Sequence, residues 1–206
     1  MDKFDAKKDL KDLYTAPVGR FLVLDVPPAR YLMVDGQGDP NVEPGYGEAV
    51  EALYVASYTL KFMSKGELGR DYVVPPLEGL WWADDYADFV ARRKDRWSWT
   101  TMTLVPDFVP DACAEAALAL ARRTKDRPGL SRLRCAALAE GRCVQTLHLG
   151  PYDDEGPILR TLHGEYLPAN GLRETGLHHE IYLSDPRRTA AAKLRTILRQ
   201  PVGPVA

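Results

Sequence analysis

The segment His178-His179-Glu180-Ile181-Tyr182-Leu183-Ser184-Asp185-Pro186 constrains the fold more than any other stretch of the chain. Successive side chains of a strand point to opposite faces of a sheet. A strand here sets Ile181 and Leu183 on one face and His178, Glu180 and Tyr182 on the other. A carboxylate in mid-sheet beside an aromatic is costly to bury unless something uses it. Glu180 is therefore the first candidate for function. Asp185-Pro186 then predicts a helix over about 187–199, carried by Ala191, Leu194, Ile197 and Leu198.

The remaining pattern supplies the rest of a sheet and its helices. Phe21–Val26 and Tyr31–Asp35 read as a hairpin across Pro27-Pro28. From Gly45 to about Lys65, Tyr46, Ala49, Val50, Leu53, Ser57, Leu60 and Met63 form a helical stripe. Tyr72–Val74 and Leu77–Trp82 read as extended, Asp84–Arg96 as a charged connection, and Trp97–Val105 as a strand. Pro110 opens an alanine-rich helix to about Arg123. A second hairpin is expected at 131–138 and 142–149, turning at Glu140-Gly141. Asp154 is a predicted N-cap for a helix to Leu167, which Asn170-Gly171 ends. Residues 1–18 read as a polar arm with a short helix at 6–14.

Two halves run in the same order: hairpin, helix, strand, helix. The expected organisation is one domain over 19–206, built of pseudo-repeats at about 19–125 and 130–200. Laying Leu104-Val105-Pro106 on Leu183-Ser184-Asp185 matches Thr101 with Glu180 and Trp99 with His178, and leaves strand 71–82 without a counterpart. The fold class is α+β, an antiparallel sheet with helices on one face.

Parity then divides the strand residues. Leu32, Val34, Met102, Leu104, Leu147, Leu149, Ile181 and Leu183 are expected under the helices. The opposite set is Tyr31, Met33, Trp97, Trp99, Thr101, Thr146, His148, His178, Glu180 and Tyr182. Aromatic walls with a few polar anchors suit a small-molecule groove.

Bulk properties exclude several classes. The chain has 206 residues, 45% hydrophobic and 27% charged, with a net charge of -2. Nothing in that balance points to nucleic acid or an anionic membrane as partner. The basic runs Ala91-Arg92-Arg93-Lys94 and Arg122-Arg123-Thr124-Lys125 have acidic neighbours and read as solvated faces. Cys113, Cys135 and Cys143 lie outside any metal-ligand or C-x-x-C spacing, which fits buried thiols in a reducing cytoplasm. No signal peptide or membrane-length apolar run is present.

Leu149-Gly150-Pro151-Tyr152-Asp153-Asp154, His178-His179-Glu180-Ile181-Tyr182-Leu183-Ser184-Asp185-Pro186-Arg187-Arg188 and Leu80-Trp81-Trp82 together carry a resemblance. Over roughly residues 20–200 the chain resembles the stand-alone branch of the GyrI-like small-molecule-binding domain family. The resemblance implies duplicated strand-helix-strand-strand units of the SHS2 type, with a ligand groove between the copies, in a cytoplasmic bacterial protein. It implies binding of amphipathic, often cationic drugs, with Glu180 as the groove glutamate and Trp81, Trp97, Trp99 and Tyr182 as walls. Some stand-alone relatives are similar to hydrolases that open the cyclopropane ring of DNA-alkylating natural products. The short segment before the first strand has no room for a helix-turn-helix, which argues against direct transcriptional regulation.

Each candidate also has an ordinary role. Glu180 alone would suit a surface carboxylate or a partner for Arg187 or Arg188; the resemblance favours function. A desolvated carboxylate attracts a lipophilic cation, and aromatic faces add to that attraction. It would equally hold or deprotonate a water. Tyr182 would contact ligand or donate a proton as a ring opens. Trp81 and Trp82 must face opposite ways, and Trp81 is expected in the groove. Glu78 reads as a second groove carboxylate or an exposed loop position beside Gly79. His178 and His179 point oppositely, and no H-E-x-x-H occurs, so no metal is expected. No dinucleotide or P-loop motif is present, so no cofactor is expected either. The expected function is reversible binding of bulky hydrophobic or cationic small molecules, for sequestration and resistance. The alternatives are cyclopropanoid hydrolysis through Glu180 and Tyr182, and an interaction module that inhibits a protein partner. Groove and interface aromatics look alike in one sequence, so the oligomeric state stays open.

Overall fold

The computed structural model describes residues 3–42, 44–85, 88 and 93–205. Ala91 and Arg92 of the first basic run, and Met1 and Asp2 of the arm, lie outside the described residues. In chain order the elements are α1 (Ala6–Asp9), β1 (Leu22–Val26), β2 (Ala29–Gln37), α2 (Pro44–Glu67), β3 (Leu77–Trp82), β4 (Ser98–Val105), α3 (Asp111–Thr124), β5 (Arg134–Leu138), β6 (Gly141–Leu149), α4 (Gly156–Thr161), α5 (Leu167–Ala169), β7 (Leu172–Glu174), β8 (His178–Tyr182) and β9 (Arg195–Pro204). A 3-10 turn at Tyr152–Glu155 precedes α4, and a π turn at Leu162–Tyr166 joins α4 to α5. The chain forms two compact units, Met1–Asp9 with Ala29–Leu138, and Leu10–Pro28 with Ala139–Ala206.

Two expected hairpins do not form. β1 pairs with β6, whereas β2 pairs with β4 and β5. Only Pro27-Pro28 separates β1 from β2. A two-residue hairpin needs positive φ at its first turn position, and proline fixes φ near -65°. Ala139-Glu140 separates β5 from β6, and neither residue favours that geometry. The strands therefore part at both junctions.

In the first unit the antiparallel order is β3-β4-β2-β5. Directly opposed residues of antiparallel strands share a face. The pairs Leu32–Thr103, Val34–Thr101 and Gly36–Trp99 therefore share one face, with Trp81 opposite Trp99 on it. The pairs Tyr31–Leu104 and Met33–Met102, with Glu78 opposite Met102, share the other. This corrects the parity expectation, which grouped Leu32 with Met102. Matching strands by hydrophobic run cannot fix their register, and here both faces of β2 and β4 are buried.

α2 covers the Trp99 face. Its buried stripe of Ala49, Ala52, Leu53, Ala56 and Leu60 fits the predicted period, and each fully buried leucine contributes about 1.5–3 kcal/mol. The Ser57 and Thr103 hydroxyls meet at 2.8 Å across that layer. Gly36 has no room for a side chain: a Cβ there would sit 2.1 Å from the Trp99 ring. Arg30 fastens α3 to the same face through an ion pair with Asp111 and a bond to the Val109 carbonyl. Pro110 is the residue before α3 rather than within its first turn.

In the second unit the antiparallel order is β1-β6-β9-β8, with β7 also on β9. The predicted helix over 187–199 is replaced by a 3-10 turn at Ala191–Lys193 and the long strand β9. The alanines misled: Thr196 and Ile197 are β-branched, and Pro201 and Pro204 end any helix. Each unit thus runs strand, helix, strand, strand: β2-α2-β3-β4, and β6, the helical segment 152–169, β8 and β9. β8 corresponds in this order to β3, so the overlay of Thr101 on Glu180 is corrected, and strand 71–82 does have a counterpart. Only Leu77–Trp82 of that stretch forms a strand, while Tyr72 makes a single bridge to Phe4.

The helical segment packs over Val144 and Val202 through Leu162 and Leu167. Register places Val144, Thr146, His148, Thr196, Leu198, His178, Glu180 and Tyr182 on that same face. The helices were expected over Ile181 and Leu147 instead. Those residues are buried on the opposite face, which also holds Gln145 and Arg199. Segment 10–15 covers that side: Gln145 donates to the Asp12 and Thr15 carbonyls, and Arg199 to Leu13 at 2.6 Å. Leu149 is exposed rather than buried.

Candidate functional site

β8 opens the segment His178–Pro186, and its side chains alternate as expected: His178, Glu180 and Tyr182 share a face. The Tyr182 hydroxyl donates to Glu180 Oε2 at 2.8 Å. His178 Nε2 lies 3.5 Å from Glu180 Oε1. The Glu180 side chain is 12% exposed, so the carboxylate is mostly desolvated yet still reaches solvent. Charge-assisted hydrogen bonds of this kind are the strong ones.

The 3-10 turn after Pro151 brings a residue that sequence reasoning missed. Tyr152 packs edge-on to Tyr182, ring centroids 5.5 Å apart. Burial, together with the charges of Glu180, Glu155 and Asp185, pushes its phenol up to about 12. It is therefore a neutral hydroxyl donor at pH 7. Its only local signal is Gly150-Pro151, which marks a turn directly after a strand end. His148, half-buried on that face, has Nε2 3.0 Å from the Pro151 carbonyl. Asp154 makes no side-chain cap. Arg187, considered as a partner for Glu180, binds Asp185 at 3.0 Å.

The first unit gathers the tryptophans. Tyr46 from α2 lies 5.0 Å from Trp99 and 5.8 Å from Trp81, and Trp81 lies 6.0 Å from Trp97. Trp99 is buried and Trp97 half-buried. Tyr31 and Met33 are buried on the other face, where the Met33 sulfur meets Arg134 at 3.7 Å. Glu78 is buried within β3, not an exposed loop residue. Arg122 is exposed, as expected of a solvated face, and also donates to the Leu130 and Leu133 carbonyls.

A second charged cluster lies on the opposite face of β8. Glu140 accepts from His179 Nδ1 at 2.9 Å and from Arg199 at 3.2 Å, and Arg199 also donates to Gln145 at 3.1 Å. Burial alone would raise the Glu140 carboxyl, but His179 and Arg199 hold it down to about 2. This cluster ties the turn before β6 to β8, β9 and segment 10–15, which is structural work. Among the described residues, no group of three or more His, Cys, Asp or Glu is placed to hold a metal ion. No helix among them is long and apolar enough to cross a membrane.

The model of the GyrI-like small molecule binding domain matches residues 22–202. The chain belongs to that family. Three crystal structures from Listeria innocua are similar to this GyrI-like domain over 98% of its length and 100% of theirs. One is an uncharacterized conserved protein, 42% identical with a TM-score of 0.87. The others are hydrolases, 40% and 39% identical, each with a TM-score of 0.83. The C-terminal domain of EcmrR shares the fold at 14% identity and a TM-score of 0.56, covering 90% of this chain and 98% of that one. No curated protein matches. The domain is thus a small-molecule-binding α+β fold of duplicated strand-helix-strand-strand units.

Proposed function

We propose that this GyrI-like domain binds bulky hydrophobic or cationic small molecules and sequesters them, with Glu180 as the charge anchor. The observation that carries the reading is the Glu180 carboxylate, 12% exposed beside Tyr182 and His178. A carboxylate so placed has lost most of its water, and a lipophilic cation replaces it at little desolvation cost to itself. Tyr182 and Tyr152 supply ring faces and hydroxyls next to that charge. The Tyr46, Trp81, Trp97 and Trp99 cluster is proposed as a further aromatic contact surface, with Tyr46 and Trp97 its half-exposed members. Tyr31, Met33, His148, His178 and Glu78 remain proposed contacts. Equilibrium dialysis with trimethyl(pyrenylmethyl)ammonium tests the reading; retention at micromolar protein supports it, and no retention contradicts it.

The hydrolase relatives, about 40% identical, support a second reading, hydrolysis, for which we propose a strained cyclopropane as the substrate. Glu180 takes a proton from water, and the water oxygen bonds to a ring carbon. The ring C–C bond breaks, and its electron pair moves to the conjugated carbonyl oxygen. Tyr182 or another hydroxyl then protonates that oxygen. Mass-resolved incubation with a cyclopropane-bearing DNA alkylator separates the two readings. Catalytic formation of substrate plus water, lost in Glu180→Gln, establishes hydrolysis; unchanged, retained compound establishes binding alone.

A further inference from the structure

One row of side chains crosses three adjacent strands of the second unit: Tyr182 on β8, Thr196 on β9 and His148 on β6. Directly opposed residues have Cβ atoms about 4.5–5.5 Å apart and share a face. The outer two are half-buried, while Thr196 is 0% exposed. A single turn spans both ends of the row. The Pro151 carbonyl meets His148 at 3.0 Å, and the Tyr152 ring packs on Tyr182 at 5.5 Å. Thr196 Oγ1, on the same face by register, is buried and has no hydrogen-bond partner among the described residues. Burying a hydroxyl unpaired is costly. This one sits diagonally across the β8–β9 pair from Glu180, which faces Leu198.

We propose that the Thr196 hydroxyl and the Glu180 carboxylate together form a hydrogen-bonding subsite for a ligand ammonium that carries N–H, selecting protonated primary and secondary amines over quaternary cations. This rests on the reading of Glu180 as the charge anchor and specifies the head group that anchor takes. An N–H-bearing ammonium donates to the carboxylate and to the threonine oxygen at once. A quaternary cation has no donor, so charge and ring faces alone hold it and Thr196 stays unpaired. The acidic surroundings of Tyr152, set by Glu180, Glu155 and Asp185, favour a cation at this position.

The test titrates wild type, Thr196→Val, Thr196→Ser and Glu180→Gln with pyrenylmethylammonium and trimethyl(pyrenylmethyl)ammonium, read by pyrene fluorescence. Valine keeps the shape and the strand preference of threonine, and serine keeps the hydroxyl. Wild type is expected to prefer the primary amine. Thr196→Val should weaken the primary amine roughly five- to tenfold, leave the quaternary cation unchanged, and be rescued by Thr196→Ser. No preference in wild type, or equal effects of Thr196→Val on both cations, overturns the proposal. Failure of the underlying reading looks different: Glu180→Gln would then leave both cations bound as in wild type.

Discussion

Tyr182 donates its hydroxyl to Glu180 Oε2 at 2.8 Å from two positions along the same strand. The bond holds the carboxylate beside Tyr182 on the face that also carries Thr196. Tyr182→Phe removes the bond but keeps the charge. It should lower stability by about 1–2 kcal/mol, measured by urea unfolding. It should weaken lipophilic-cation binding less than Glu180→Gln does. An equal loss in both variants would mean that the hydroxyl, not the charge, holds the ligand.

Glu140 gives a pH-dependent prediction. Its carboxyl is held near 2, below the ordinary 4.5, so its contribution to stability is fully present above about pH 4.5. That contribution falls away as pH drops from there toward 2. Glu140→Gln leaves Arg199 and His179 buried without their counter-charge and should cost about 3–5 kcal/mol at pH 7. The variant should lose less further stability than wild type on acidification to pH 3. Parallel acid profiles for the two proteins contradict the assignment.

Gly36 and Trp99 predict a coupled pair. A methyl group at Gly36 would meet the Trp99 ring at 2.1 Å. Gly36→Ala should therefore destabilise by about 1–3 kcal/mol or more. Combined with Trp99→Leu, which vacates that space, the two costs should fail to add. Additive costs in a double-mutant cycle reject the contact.

Trp97 is the half-exposed ring of the tryptophan cluster. In a variant that retains Trp97 alone, with the other three replaced by phenylalanine, saturating ligand should quench or shift its emission. An unchanged spectrum removes Trp97 from the proposed contact surface.

Much of this architecture was legible in the chain. The alternation of His178–Tyr182, the α2 stripe and the turn glycines Gly141 and Gly171, both at positive φ, are local features that local chemistry decides. What escaped was set by distance. Glu140 looks like an ordinary turn residue because its partners are 39 and 59 residues away. The face meeting the helices could not be read from Ile181 or Leu32, because sheets buried on both sides show no polar face. The alanines at 190–192 favoured a helix where β9 pairs with strands on both sides, a case of tertiary pairing overriding local propensity. Thr196 was counted in that helix, so the row His148–Thr196–Tyr182 emerged only with the register.

The central claim is that the charge of Glu180 holds a lipophilic cation. Calorimetric titration of wild type and Glu180→Gln with trimethyl(pyrenylmethyl)ammonium and its neutral tert-butyl isostere tests it most directly. The account predicts that the variant loses about tenfold or more in affinity for the cation, on the order of 1.4 kcal/mol, and nothing for the isostere. Equal affinity changes for both compounds would contradict it.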